Sequence, residues 1–327
     1  MRLPAIDQIR DAQNLVYRYM PPTPQYSWPL IDQRLGAEAW IKHENHTPVG
    51  AFKLRGALVY ATWLKQKQPD LTGVVAATRG NFGQGVAMAA RLLGMKAVIV
   101  VPRGNSVEKN CATQAQGAEL VEHGRDFQES LEFAGILALE RGYVMIESFH
   151  ERLVLGTATY ALELFEAAPK LDVVYVPIGM GSSICGMVAA RSALNLPTEI
   201  VGVTAAACAA TAISYRERKL IESPAESLIA DGLACRRPNQ DALEIIFAHV
   251  ARIVEVSDAE IAEAMRFYYE DTHNVAEGAG AASLAAAMKE RSSLGGKRTG
   301  IILTGGNVDS ELLIAALNGA FRSARPA

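Results

Sequence analysis

The feature that most constrains the fold is a regular alternation of short, apolar, β-branched runs with longer segments of helical periodicity. The short runs are strand candidates, at residues 39–42, 73–77, 96–101, 119–121, 143–146, 172–176, 199–203, 253–256 and 300–303. Between them, apolar residues recur at i, i+3 and i+4, for example over 81–93, 126–141, 155–167 and 258–269. Such alternation places helices on both faces of parallel strands, so the pattern predicts an α/β protein.

The composition excludes several classes of protein. Half of the 327 residues are apolar and one fifth are charged, which is unlike a disordered chain. The 32 basic and 35 acidic residues nearly balance, so the composition does not indicate a nucleic-acid partner. The sequence has no long apolar run, so no membrane span is predicted. The four cysteines have no metal-ligand spacing and the N-terminus has no apolar signal region, so we expect a cytoplasmic protein.

The loop after the apolar run 173–178 has the composition of an anion site. Its residues 179–183 read Gly-Met-Gly-Ser-Ser and lead into a helical pattern from Ile184. Glycines let backbone N–H groups converge, and a helix N-terminus adds partial positive charge, so the loop suits a phosphate. The spacing matches neither a P-loop nor a dinucleotide fingerprint, and an ordinary tight turn remains the alternative.

Two further segments carry candidate chemistry. Lys53 lies between Phe52 and Leu54 after a polar turn, where partial desolvation would lower its pKa and make the amine a nucleophile. The alternative is a surface lysine at a helix start. Residues 304–307, Thr-Gly-Gly-Asn, follow an apolar run and indicate close approach of a planar or anionic ligand, or else a turn capped by Asn307.

Taken together, these segments resemble the fold-type II pyridoxal-phosphate enzymes, within them the serine/threonine dehydratase and serine racemase branch. The lysine motif reads A-F-K-L-R-G-A at 51–57, and an asparagine loop reads T-R-G-N-F-G-Q-G at 78–85. The phosphate loop is 179–183 and the C-terminal motif T-G-G-N-V-D is 304–309; segments 229–233 and 277–281 also match. Six segments in order span nearly the whole chain and favour ligand roles over the ordinary-turn alternatives.

The resemblance implies a role for each matching residue. Lys53 would hold pyridoxal 5′-phosphate as a Schiff base and then remove a proton from the substrate as general base. The other implied cofactor contacts are Phe52, Asn81, Gly179, Met180, Gly181, Ser182, Ser183 and Thr304. The implied substrate contacts are Thr78, Arg79, Gly80, Asn81 and Phe82.

The implied activity is that of a lyase that dehydrates and deaminates a β-hydroxy amino acid of the L-threonine or L-serine type to a 2-oxo acid and ammonia. Thr304 offers the pyridine nitrogen a neutral hydroxyl rather than a carboxylate, which favours β-elimination over transamination. Alternatives are a related substrate such as 3-hydroxyaspartate or 3-phenylserine, or a β-replacing synthase of the same fold. A catalytically silent ligand sensor is a further alternative, against which the intact Lys53, Asn81 and Thr304 argue.

Two substitutions in the asparagine loop depart from the family pattern. Arg79 stands where racemases of the family have a serine that protonates the substrate, and an arginine is a poor proton donor, so we expect no racemase activity. Arg79 either pairs with a substrate carboxylate, including one on a side chain, or only supports its loop. Phe82 replaces a usual histidine and is expected to widen the apolar contact with the substrate side chain.

Two features are expected to be absent. Family members that bind Mg²⁺ or Ca²⁺ use a Glu and an Asp after the strand matching 199–203, where this chain has Thr204, Cys208 and Ala210. These are not hard oxygen ligands, so no divalent metal is predicted there. The sequence ends soon after the Thr304 motif, so no C-terminal regulatory domain is expected.

The resemblance also implies an architecture like that of tryptophan synthase β, with two open twisted sheets and flanking helices. Residues 1–53 and 147–327 are expected to form a large cofactor-binding domain. Residues 54–146 are expected to form a smaller, mobile domain whose closure excludes water from the cleft. A homodimer is the family expectation.

Overall fold

Strands and helices alternate through residues 1–321, the part of the chain that the computed structural model describes. The strands are β1 (Gln25–Ser27), β2 (Glu38–His43), β3 (Gly73–Ala77), β4 (Lys96–Val101), β5 (Glu119–Glu122), β6 (Val144–Met145), β7 (Val173–Pro177), β8 (Glu199–Ala205), β9 (Arg252–Val256) and β10 (Arg298–Leu303). The helices are α1 (Ile6–Val16), α2 (Pro29–Leu35), α3 (Lys53–Lys67), α4 (Asn81–Leu92), α5 (Val107–Ala115), α6 (Phe127–Arg141), α7 (Glu151–Ala167), α8 (Ser182–Ala193), α9 (Ala210–Glu217), α10 (Gln240–His249), α11 (Asp258–Thr272), α12 (Gly278–Lys289) and α13 (Ser310–Leu317). None of these helices combines the length and the apolar character that crossing a bilayer requires.

The larger sheet has six strands in the order β1-β2-β10-β7-β8-β9. Every neighbouring pair is parallel except β1 and β2. Strand β7 is buried at each of its positions, as expected for a parallel strand covered by helices on both faces. The sequence did not predict β1, a three-residue edge strand that carries no apolar run.

The smaller sheet has four parallel strands in the order β5-β4-β3-β6. Strand β3 is buried throughout, whereas β6 has only two residues and is half-buried. The two sheets and their flanking helices confirm the predicted α/β class. The division of the chain at residues 54 and 146 into a large and a mobile domain remains a prediction.

Two helices are longer than the periodicity of the sequence predicted, because periodicity does not show where capping residues begin or end a helix. Helix α7, predicted from residue 155, begins four residues earlier because the His150 ring accepts a hydrogen bond of 3.1 Å from the Arg152 amide. Helix α11, predicted to end at 269, continues to Thr272 and ends at His273, which has a φ of +52°. After helices α4, α5 and α6, the backbone is left-handed at Gly94, Gly117 and Gly142 respectively, where glycine is favoured.

Two glycines allow the neighbouring helices to pack closely against the first turn of α3. A Cβ atom on Gly85 of α4 would lie 3.2 Å from the carbonyl oxygen of Lys53. On the other side of α3, a Cβ atom on Gly156 of α7 would lie 2.5 Å from the carbonyl oxygen of Arg55. A larger side chain at either position would push α3 away, so the first turn of α3 is held between its neighbours.

Candidate active site

The carboxyl end of β10 adjoins the segment that precedes α3. The Phe52 amide donates a hydrogen bond of 3.0 Å to the carbonyl oxygen of Thr304. Ala51 forms a β-bridge with Gly305, which places the lysine motif beside the C-terminal motif. Thr304 itself is buried. Ligand sites of open parallel sheets lie at this edge, so the structure brings two of the predicted segments to the expected position.

Lys53 is the first residue of α3, and its amine lies 4.5 Å from the centroid of the Phe52 ring. No residue within 1–321 accepts a hydrogen bond from this amine. Burial lowers the pKa of the Lys53 amine to about 8, and the nearby Glu277 carboxylate opposes the shift. The neutral, nucleophilic form is therefore populated near neutral pH far more than for an exposed lysine.

The loop between β7 and α8 presents unpaired backbone donors. Gly181 precedes α8 with a φ of +102°, a conformation that favours glycine. The backbone N–H groups of residues 179–184 donate to no other residue of the described chain. Unpaired amides at the start of a twelve-residue helix are suited to an anion, as the sequence predicts for this loop.

The residues of this loop are closely packed against neighbouring segments. A Cβ atom on Gly179 would lie 2.6 Å from the carbonyl oxygen of Gly232, and one on Gly181 would lie 2.7 Å from Ala242 Cβ. The Ser183 hydroxyl is 2.7 Å from the hydroxyl of the buried Tyr160, and the Ser182 carbonyl accepts a 2.7 Å hydrogen bond from Thr157. Met180 contacts Cys235 with 3.4 Å between the two sulfur atoms.

Asn81 begins α4, and both ends of its amide are held. Its Nδ2 donates to Glu277 Oε1 at 2.6 Å, and its Oδ1 accepts from Asn307 Nδ2 at 2.8 Å. In the same loop, the Gly80 amide donates to the Thr78 hydroxyl at 3.0 Å. The backbone amides of residues 81 and 82 donate to no described residue. The asparagine loop therefore offers a second set of free donors at a helix N-terminus.

Lys109 and Glu277 belong to the site, although the sequence assigned neither of them a role. Lys109 Nζ lies 2.7 Å from Asp231 Oδ2 and 3.3 Å from Glu277 Oε2, and Lys109 and Glu277 are both buried. Burial raises the pKa of Glu277, and Lys109 opposes that rise. Conversely, the two carboxylates raise the pKa of Lys109 against the effect of burial. Asp231 and Glu277 therefore keep the buried Lys109 in its charged form.

Arg79 lies in a cavity of about 330 Å³ that adjoins Asn81 through Glu277 and Asn307. Arg79 is half-buried, and its guanidinium has no hydrogen bond or ion pair with any residue up to 321. Neither Lys53 nor the phosphate loop lines this cavity. Phe82 does not line it either, because its ring is buried in an apolar cluster with residues of α3 and α4. A contact of Phe82 with substrate remains a prediction.

A buried network of ion pairs holds the first turn of α3 in place. Arg55 is fully buried, and its guanidinium binds Glu44 at 2.8 Å and Glu163 at 2.6 Å. Lys42 adds a third charge at 2.6 Å from Glu163. Because Arg55 lies two positions after Lys53, this network orients the turn that carries Lys53.

The segment after β8 carries the residues that the sequence singled out as poor metal ligands. Thr204 and Cys208 are buried, and the Thr204 hydroxyl has no hydrogen-bond partner among the described residues. Within residues 1–321, no group of three or more His, Cys, Asp or Glu side chains is arranged to hold a metal ion.

The sequence model of the pyridoxal-phosphate dependent enzymes matches residues 16–305. The chain is 32% identical over 322 residues to an L-threonine ammonia-lyase of Thermotoga maritima, covering 98% of this chain and 80% of that one. It is also 32% identical over 320 residues to an L-threo-3-hydroxyaspartate ammonia-lyase of Saccharomyces cerevisiae, covering 98% of each. The structure of maize serine racemase superimposes with a TM-score of 0.89 at 30% identity, covering 98% of both chains.

Proposed function

The chain belongs to the family of pyridoxal-phosphate dependent enzymes, and from this premise we propose that it is an ammonia-lyase. It would eliminate water from a β-hydroxy amino acid of the L-threonine or L-serine type, and hydrolysis of the released unsaturated amine would take up one water, release ammonia and leave a 2-oxo acid. The observation that carries the proposal is the Lys53 amine, which is desolvated and has no hydrogen-bond partner in the described chain. Such an amine is suited first to binding an aldehyde and then to accepting a proton.

The residues present fit pyridoxal 5′-phosphate. The free amides of residues 179–184 match a phosphate, and the close packing at Gly179 and Gly181 leaves no room for a side chain at either position. Lys53 and Phe52 would lie against the ring, and Thr304 and Asn81 would hold its polar edge. When bound, the cofactor supplies an aldehyde that links to amino groups and a ring that withdraws electrons from the adjacent carbon.

The chain's own residues would then orient the substrate and move its proton. The substrate carboxylate would bind the free amides of Asn81 and Phe82 at the start of α4. Lys53 Nζ would accept the proton from the substrate Cα, because its lowered pKa leaves part of the amine uncharged near neutral pH. Thr304, a neutral partner for the ring nitrogen, would favour prompt loss of the β-hydroxyl over transamination.

Wider features of the proposal concern motion, assembly and location. Residues 54–146 would move as a small domain against 1–53 and 147–327, closing the cleft over the substrate. The enzyme would act as a homodimer in the cytoplasm. Support for closure comes from α5, whose Lys109 contacts Asp231 and Glu277 across the cleft.

Borohydride reduction followed by peptide mapping tests the central assignment. We expect the label on Lys53 and ammonia release from at least one β-hydroxy amino acid. Lys53→Ala should abolish both, whereas Lys67→Ala, on the exposed end of the same helix, should change neither. A label on another amine, or ammonia release that survives Lys53→Ala, would contradict the proposal. Formation of β-substituted amino acids from added thiols would instead favour a synthase.

A further inference from the structure

We propose that Arg79 binds a second carboxylate of the substrate, so that the preferred substrate is a β-hydroxy amino acid with an acidic side chain, of the 3-hydroxyaspartate class. The inference rests on the proposed ammonia-lyase function and names the substrate of that same site. Sequence identity does not choose between this substrate and threonine, because relatives named for each are equally similar to the chain.

The acidic groups that line the Arg79 cavity already have hydrogen-bond donors. Asp231 accepts from Lys109 and from the Gly232 amide, and Glu277 accepts from Asn81 and Lys109. Asp309 accepts from the Ser106 hydroxyl. Each carboxylate that lines the cavity therefore has at least one donor within the protein.

The two arginines of the cavity, in contrast, have no hydrogen-bond partners among the described residues for their guanidinium groups. Neither the guanidinium of the half-buried Arg79 nor that of the exposed Arg103 has a hydrogen bond or ion pair with any residue that the structure describes. Among the charged groups of the cavity, the carboxylates and Lys109 therefore have partners within residues 1–321, whereas the two guanidinium groups do not. A planar guanidinium with five N–H groups matches a carboxylate in bidentate geometry. The ligand that complements this cavity is an anion.

The same loop provides a separate place for the substrate's α-carboxylate. The amides of Asn81 and Phe82 at the start of α4 have no partner in the described chain, and they lie two or three residues from the Arg79 side chain. Two anion-binding features in one loop suit a molecule with two carboxylates. If Arg79 and the amides instead held one carboxylate together, Arg79 would contribute equally to every amino acid substrate.

Steady-state ammonia release from threo-3-hydroxyaspartate, L-threonine and L-serine tests the inference on the holoenzyme. We expect the wild-type protein to prefer the dicarboxylate. Arg79→Ser should lower kcat/KM for 3-hydroxyaspartate by about tenfold to a hundredfold, the effect of losing a charge-assisted hydrogen bond, and change the other substrates much less. Arg79→Lys should restore part of the loss. Arg91→Gln removes the same charge from the far end of α4 and should leave the preference intact.

A binding measurement gives a readout that does not depend on turnover. By calorimetry, succinate should bind the wild-type holoenzyme more tightly than butyrate, which has one carboxylate fewer, and Arg79→Ser should remove the difference. Equal loss on all three substrates, or no advantage for succinate, overturns the role of Arg79. If the wild-type protein releases ammonia from none of the substrates, the proposed function fails, and the succinate comparison still decides whether Arg79 reads a second carboxylate.

Discussion

Lys109 Nζ lies between two carboxylates, 2.7 Å from Asp231 and 3.3 Å from Glu277. The other oxygen of Glu277 accepts the hydrogen bond of Asn81 at 2.6 Å. Lys109, Glu277 and Asn81 thus form one chain of contacts that runs from α5 to the first residue of α4. A change at Lys109 is therefore expected to reach Asn81 without touching it.

Replacing Lys109 with methionine should shift the acid limb of the kcat/KM profile to higher pH. Burial raises the pKa of Glu277 and Lys109 opposes the rise, so removing Lys109 lets this pKa climb further. At a given pH fewer molecules then carry the ionised Glu277 that holds Asn81. The double variant Lys109→Met, Glu277→Gln lacks the titrating group and should lose the shift. An acid limb that stays in place in Lys109→Met argues against this coupling.

Capture of cofactor by the apoprotein should accelerate as the pH rises through about 8, the lowered pKa of the Lys53 amine. Only the neutral amine attacks an aldehyde, and burial is the cause of the lowered value. Stopped-flow absorbance after mixing with pyridoxal 5′-phosphate measures the rate. An inflection near the pKa of an exposed lysine, about 10.4, would show that burial does not tune this amine.

Arg55→Met should destabilise the protein by about 3–5 kcal/mol, because it leaves Glu44 and Glu163 buried with fewer cationic partners. The free energy of unfolding from chemical denaturation measures the effect. The matched control is Arg10→Met, which breaks the exposed ion pair with Glu166 and should cost about 1 kcal/mol or less. Equal costs for the two variants would mean that the buried network contributes no more than a surface pair.

Gly181→Ala should weaken cofactor binding by about tenfold or more. The left-handed backbone costs a non-glycine residue roughly 1–2 kcal/mol, and the new Cβ would lie 2.7 Å from Ala242 Cβ. Titration of the apoprotein with cofactor measures the Kd. Gly94→Ala imposes a similar strain at a φ of +69°, with nothing within 4 Å of the new Cβ, and should lower stability without changing the Kd.

Prolonged dialysis against a chelator should leave both ammonia release and Tm unchanged, and added Mg²⁺ or Ca²⁺ should raise neither. Thr204, Cys208 and Ala210 offer no anionic oxygen after β8. A rise in Tm that saturates with Mg²⁺ or Ca²⁺ would show that a cation site exists elsewhere in the protein.

The residues to which the sequence assigned a role are those that belong to a short recognisable segment, and their roles remain predictions. Residues 179–183 and the amine at 53 could be singled out because a glycine loop or a lysine motif is visible over a few positions. The resemblance of the chain to fold-type II pyridoxal-phosphate enzymes is confirmed. The predicted α/β architecture with two sheets is also confirmed.

The residues that the sequence missed depend on contacts between distant parts of the chain. Lys109 meets Asp231 and Glu277 at separations of 122 and 168 residues, so no local pattern could reveal it. The sequence analysis included Arg55 in the lysine motif but did not predict its burial or its ion pairs. Its complete burial depends on Glu163, which is 108 residues away, and arginines are seldom buried without such partners.

The hydrogen bond from Phe52 to Thr304 and the bridge from Ala51 to Gly305 join the segment that carries Lys53 to the end of β10 in the larger sheet. During synthesis, residue 53 leaves the ribosome long before residue 304 has been translated. If these residues bind the vitamin B6 aldehyde as proposed, a nascent or prematurely terminated chain that lacks β10 has no complete site for it, however well its earlier segments have folded. On the proposed function, loading of the coenzyme would therefore have to wait until β10 has been translated.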